Sequence, residues 1–147
     1  MSARKILLVE DNPDDEALTL RALRKAMLTE SIDVARDGVE ALDYLFATGI
    51  HAGRDLSSMP HLVLLDLKLP KIDGLEVLRR MRQDARTRSL CVVVFTSSGE
   101  DEDIRKAYDL AANSFVRKPV AFEQFADAVS EVGRYWLRLN QSPVLQT

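Results

Sequence analysis

The chain has 147 residues, 46% of them hydrophobic and 29% charged, with a formal net charge of −3. This length predicts one domain able to bury a core, and the slight acidic excess gives no electrostatic reason for a nucleic-acid partner. Cys91 is the single cysteine, which excludes an intrachain disulfide, and no segment approaches the ~20 apolar residues of a membrane span. The N-terminus runs straight into a strand, leaving no room for a signal peptide, so a cytoplasmic protein is expected.

In chain order, residues 6–9 form an apolar run that stops on Glu10 and Asp11. Asn12 suits a helix cap and Pro13 its first turn. Ala17, Leu20, Leu23, Met27 and Leu28 then recur at helical spacing, with Asp14, Asp15 and Glu16 in the first turn, where the helix dipole favours acids. Residues 31–35 read as a weaker strand. Asp37 and Gly38 turn the chain into a helix carrying Val39, Leu42, Leu45 and Phe46. Residues 48–60 have no period and read as an irregular loop, of a length that is usually functional or disordered in a compact domain.

The stretch 60–74 organises the rest. Residues 62–65 are wholly apolar and of strand length, the pattern of a strand buried on both faces. The run stops on Asp66, and Pro70, Asp73 and Gly74 break the chain into a loop. Leu75, Val77, Leu78 and Met81 mark a third helix that ends in the polar run 82–88. Residues 91–95 form another apolar strand, ending on Thr96, Ser97, Ser98 and Gly99; Cys91 reads there as a small core residue. Acidic residues at 100–103 open a fourth helix with thin apolar content. Residues 113–116 form a fifth strand before Arg117, Lys118 and Pro119. In the last helix Phe122, Phe125, Val129, Val132, Trp136 and Leu139 make a heptad-like seam, expected to pack on the sheet. Its last turns, around Tyr135 and Trp136, are expected to outrun the sheet, and residues 141–147 to form a mobile or partner-bound tail.

Five strands alternating with five helices predict an α/β fold, a doubly wound parallel sheet with helices on both faces. Ligands bind at the carboxyl edge of such a sheet. Glu10, Asp11, Asp66, Thr96 and Lys118 all follow strands, so they are expected to converge there. Three carboxylates brought together repel one another, and a hard divalent cation relieves this; Mg²⁺ suits because it keeps waters and needs few carboxylates. With a hydroxyl and a lysine added, the set amounts to a site for a phosphoryl group. Each residue alone has a plainer reading. Asp66 solvates a strand end, Glu10 and Asp11 form a helix-cap cluster, Thr96 is a turn hydroxyl, Lys118 a surface charge and Phe115 plain core. His51 and His61 lack metal-ligand spacing.

Jointly, Glu10 and Asp11 after the first strand, Asp66 after the third, Pro70 with Asp73 and Gly74, Thr96 after the fourth, and Phe115 with Lys118 and Pro119 make the chain resemble the receiver domain of two-component response regulators. The resemblance covers about residues 4–140. The loop at 48–60 and the ending at 125–139 resemble the narrower group of stand-alone regulators that partner bacterial phytochromes. The resemblance implies a single domain over 1–147 with flavodoxin-like strand order 2-1-3-4-5. It implies that Asp66 accepts a phosphoryl group from a phosphohistidine of a sensor histidine kinase. Mg²⁺ would be held by Asp11, Asp66 and the backbone carbonyl of Lys68, with Glu10 acting through water. Lys118 would pair with Asp66 and then with phosphoryl oxygens. Thr96 would turn its hydroxyl to the phosphoryl group and vacate space into which Phe115 rotates. The Lys118–Pro119 bond would be cis, and Lys68 and Ser98 would flank the attacking water and set the lifetime of the phosphoaspartate.

The same resemblance implies signalling by protein contact through the fourth helix, fifth strand and last helix, and no turnover of a separate substrate. The length of the last helix leads us to expect a homodimer through it, and the charge and the lack of a long apolar segment lead us to expect no nucleic-acid or membrane partner. A phosphatase with a phosphoaspartate intermediate wants a second acid where Lys68 stands. A nucleotide-binding domain wants glycines where Glu10, Asp11, Asn12 and Pro13 stand. A receiver-like interaction module that is never phosphorylated remains compatible with the sequence.

Overall fold

A computed structural model describes residues 4–26 and 31–144. Met27 and Leu28, expected in the first helix, and residues 145–147 of the tail lie outside the described residues. Five strands, β1 (Lys5–Val9), β2 (Ser31–Ala35), β3 (Leu62–Leu65), β4 (Val92–Thr96) and β5 (Ser114–Arg117), pair in parallel in the order β2-β1-β3-β4-β5. Helices α1 (Pro13–Lys25), α2 (Gly38–Phe46), α3 (Gly74–Gln83), α4 (Asp101–Asp109) and α5 (Phe122–Arg134) connect and cover them. The expected doubly wound α/β architecture and strand order are both found.

Side chains of a strand alternate between its faces. Ile6, Leu8, Leu62, Leu64, Val93 and Phe95 therefore pack with Leu23 of α1 and Phe125 and Val129 of α5. Leu7, Val9, Val63, Leu65, Val92 and Val94 pack with Leu45, Val77, Leu78, Met81 and Ala107 of α2, α3 and α4. Burial on both faces is why β3 and β4 read as continuous apolar runs. Each such side chain contributes about 1.5–3 kcal/mol relative to an exposed one. The edge strands β2 and β5 are mostly half-buried, which explains their weaker patterns.

Three helix starts are capped as their sequences imply. Asn12 accepts N–H bonds from Asp14 and Asp15, Asp37 from Glu40, and Asp73 from Glu76. Such caps are worth about 1 kcal/mol each. Two glycines are required by close approach. A Cβ on Gly74 would stand 2.3 Å from the carbonyl oxygen of Asp66, and one on Gly38 would stand 1.9 Å from that of Ile72. The loop after β3 is thereby seated against α2, where Gly38 N–H donates to Pro70 O at 3.3 Å.

β4 and β5 each begin one residue later than expected. Asn113 lies outside β5 and acts through its side chain: Oδ1 accepts the Val92 N–H at 2.8 Å. Arg82, read as part of a polar run, is a structural hub. Its guanidinium donates to Leu90 O at 2.8 Å, Ala111 O at 2.9 Å, Arg88 O at 3.0 Å and Asn113 Oδ1 at 3.1 Å.

Residues 48–60 form a loop, as expected, and side chains order it. After a short 3₁₀ turn (Gly49–His51), Arg54 lies 4.0 Å over the Tyr44 ring and donates to Tyr44 O at 2.6 Å and Ser58 O at 2.7 Å. The seam of the last helix also differs. Phe125 and Val129 are buried as expected, but Phe122 and Leu139 are exposed, and Gly133 and Leu137 complete the buried line. At the end of the seam a π-helical stretch (Tyr135–Leu139) widens the turn and shifts the phase so that Leu137 is buried; Phe122 and Gly133 lie before it, in α5. Beyond it the tail is tied down as far as it is described. Asn140 Nδ2 donates to Cys91 Sγ at 3.7 Å, and Val144 packs against the core under α2, α3 and α4.

Candidate functional site

The carboxyl ends of β1, β3, β4 and β5 place the expected residues in one cleft. Glu10 follows β1, Asp66 follows β3, Thr96 ends β4, and Lys118 follows β5. Glu10, Asp66, Thr96 and Lys118 are all buried, while Asp11 is exposed. Backbone bonds lock this edge: Glu10 N–H to Ala35 O at 2.9 Å, Asp66 N–H to Val9 O at 3.1 Å, and Lys118 N–H to Thr96 O at 2.7 Å.

Asp66 is gripped at both oxygens. Oδ1 accepts the Thr96 hydroxyl at 2.7 Å and the Lys68 N–H at 3.1 Å, while Oδ2 accepts Lys118 Nζ at 2.9 Å. Lys118 Nζ also donates to Glu10 Oε1 at 2.6 Å and Asp15 Oδ2 at 2.8 Å. Burial pushes the Asp66 carboxyl up, but the bonds from Lys118, Thr96 and Lys68 outweigh it and hold the group below its ordinary value. Burial pushes Lys118 down, but Asp15, Glu10 and Asp66 raise it above the ordinary lysine value. Glu10 goes the other way: burial, joined by the charge of Asp66, pushes it up to about 7 against the pull of Lys118. The result is an ionised carboxylate beside a charged ammonium in a water-poor pocket.

One carboxylate oxygen each from Glu10, Asp11 and Asp66 fall within 4.8 Å of one another. Three hard oxygen donors at this spacing fit a small divalent cation. Asp15 is the member that sequence reasoning missed, having been read only as a dipole acid. Its signal was a further acid in the same turn that the Asn12 cap begins.

The remaining expected residues lie around this centre. Lys68 is exposed, and Ser98 donates its hydroxyl to Asp103 of α4. Phe115 is half-buried on β5, and its N–H donates to Tyr108 Oη at 3.1 Å. Thr96 points its hydroxyl at Asp66. No peptide bond among the described residues is cis, so the Lys118–Pro119 bond is trans, contrary to expectation. Trans is the isomer that an X–Pro bond favours by about 0.5–1 kcal/mol, and Lys118 reaches its three partners with it.

The matched family model is that of the response regulator receiver domain, over residues 6–130. The chain belongs to this family. Its relatives include the probable methanogenesis regulatory protein FilR2 of Methanothrix harundinacea, 46% identical over 138 residues, which cover 94% of this chain and 86% of FilR2. Response regulator Rcp1 of Synechocystis is 33% identical over 132 residues, 90% of this chain and 88% of Rcp1. The Mn²⁺-bound form of Rcp1 superposes with a TM-score of 0.89, at 31% identity over 95% of this chain and 99% of that one. The phosphorylated cyanobacterial phytochrome response regulator RcpA superposes with a TM-score of 0.90, at 36% identity over 97% of this chain and 99% of RcpA. Among the described residues no helix is long and apolar enough to cross a membrane.

Proposed function

We propose that this receiver accepts a phosphoryl group on Asp66 from a phosphohistidine of a sensor histidine kinase. One observation carries the reading: the Asp66 carboxylate is held at once by an ammonium and a hydroxyl, beside two further acids within cation distance. In the transfer, an Asp66 oxygen forms a bond to phosphorus as the histidine N–P bond breaks. Lys118 exchanges Asp66 Oδ2 for a phosphoryl oxygen, and the Thr96 hydroxyl donates to another. A carboxylate is a poor nucleophile toward an anionic donor, so positioning and charge neutralisation are most of what the protein contributes.

Glu10, Asp11, Asp66 and the backbone carbonyl of Lys68 would hold Mg²⁺, with Glu10 acting through water. When bound, the ion neutralises and orients the phosphoryl oxygens. The Mn²⁺-bound Rcp1 relative supports a divalent cation here. Lys68 and Ser98 flank the acceptor and tune the lifetime of the phosphoaspartate, which ends by hydrolysis without turnover of another substrate. The phytochrome named for RcpA supports a bacterial phytochrome kinase as the donor, in the cytoplasm. Output runs through α4, β5 and α5 by protein contact. Rotation of Phe115 and a dimer through the last helix, where Tyr135 and Leu139 are exposed, belong to this reading.

The test is incubation with a small phosphodonor and Mg²⁺, read by phosphate-affinity electrophoresis. A shifted band that is lost in Asp66→Asn and in chelator is expected. A folded wild type without a shift would replace this reading with an interaction module that is never phosphorylated.

A further inference from the structure

Asp15 touches the reacting machinery through Lys118 and has no part in the roles above. It stands in the first turn of α1, with Oδ2 2.8 Å from Lys118 Nζ. An ammonium has three N–H donors. At rest Glu10, Asp15 and Asp66 take all three. Of these acceptors Asp15 is the one nearest solvent, with 27% side-chain exposure against 2% for Glu10 and 7% for Asp66. It is also outside the set Glu10, Asp11 and Asp66 whose oxygens cluster for a cation. A cation at that cluster neutralises its own ligands and leaves the Asp15 charge in place.

We propose that Asp15 is a specificity-determining residue that disfavours small, freely diffusing anionic phosphodonors. The inference rests on Asp66 being the phosphoacceptor. A small donor is concentrated at the site by local electrostatics alone, and an extra carboxylate on the solvent side lowers its encounter and weakens the call of Lys118 on its oxygens. A donor carried on a protein draws binding energy from contacts remote from phosphorus, so the same charge costs it little overall. Asp15 thereby favours a docked partner over a small donor without excluding the small donor. If Asp15 instead served to position Lys118, its removal would slow transfer, so the two roles differ in sign.

The experiment measures the rate of phosphorylation of the full chain by acetyl phosphate with Mg²⁺, in wild type, Asp15→Asn and Asp15→Glu. Asparagine keeps an acceptor for Lys118 and removes only the charge. The rate in Asp15→Asn is expected to rise about fivefold at low salt, the effect of one unit charge a few ångströms away in near-aqueous dielectric. The gain should shrink at high salt, Asp15→Glu should return to the wild-type rate, and melting temperatures should agree. A phosphorylated wild type with an unchanged or slower Asp15→Asn overturns this inference alone. A wild type that acetyl phosphate never modifies, with Asp15→Asn equally inert, overturns the acceptor reading and this inference with it.

Discussion

Arg82 donates to Oδ1 of Asn113 at 3.1 Å, and that same oxygen accepts the Val92 N–H. Two side chains thus close the edge of the sheet where β4 and β5 begin, opposite the site. Arg82→Lys keeps the charge but has neither the span nor the planar fork to serve the carbonyls of Arg88, Leu90 and Ala111 together. A loss of about 1–3 kcal/mol is expected, read as a lower urea midpoint at unchanged slope. An unchanged midpoint would deny Arg82 its structural role.

His61 and Lys5 exchange two bonds at the start of β3. Lys5 N–H donates to His61 Nδ1 at 3.1 Å, and His61 N–H donates to Lys5 O at 2.7 Å. Burial first, then the charges of Arg4 and Lys5, hold the imidazole below its ordinary value of 6.5. Protonation would turn Nδ1 from an acceptor into a donor facing the Lys5 N–H. With the folded value depressed, the neutral form's stabilisation is complete above the ordinary value and is lost as pH falls through the folded one. The urea midpoint should drop between pH 7 and pH 5, and drop less in His61→Asn, whose Oδ1 keeps the acceptor. Equal drops in both proteins would contradict this.

Divalent cations should stabilise the fold. At a hundred times its dissociation constant, Mg²⁺ is expected to add about 2.7 kcal/mol, visible as a higher melting temperature that chelator reverses. Asp11→Asn removes one of the three converging carboxylates. It should lose most of that shift while remaining as stable as wild type in chelator, because Asp11 is exposed and repelled by its neighbours. A full shift in Asp11→Asn would place the cation elsewhere.

Gly74→Ala should damage the site from behind. The new Cβ would meet the Asp66 carbonyl oxygen at 2.3 Å and Leu67 Cα at 2.7 Å, both backbone atoms that cannot step aside. A cost of about 1–3 kcal/mol or more is expected. Phosphorylation by acetyl phosphate should slow beyond what the lost stability explains, measured where both proteins are fully folded. A wild-type rate would show that the Asp66 backbone tolerates displacement.

The fold was legible wherever burial writes a period into the chain. The apolar run ending on Asp66 marks a central strand, and Asn12, Asp37 and Asp73 mark helix starts because their oxygens do cap them. The convergence of Glu10, Asp11, Asp66, Thr96 and Lys118 follows from parallel topology alone. Asp15 was not legible: three adjacent acids in a helix start look alike, and only the path of Lys118 selects one. The order of residues 48–60 comes from Arg54 binding backbone carbonyls, which leaves no periodic trace. Leu137 replaces Leu139 in the core because a π-helical turn shifts the phase, and spacing counted at the usual helical pitch cannot see that.

The seating of the loop after Asp66 has a mechanical consequence. Gly74 presses its backbone to the Asp66 carbonyl, and Gly38 clamps Pro70 and Ile72 from α2. On the other side of Asp66, Ser97 is exposed and Ser98 is fastened through its hydroxyl to Asp103. Asp66 is therefore held from behind by backbone-to-backbone contact that joins it to α2 and α3, whereas the segment after Thr96 is held through side chains.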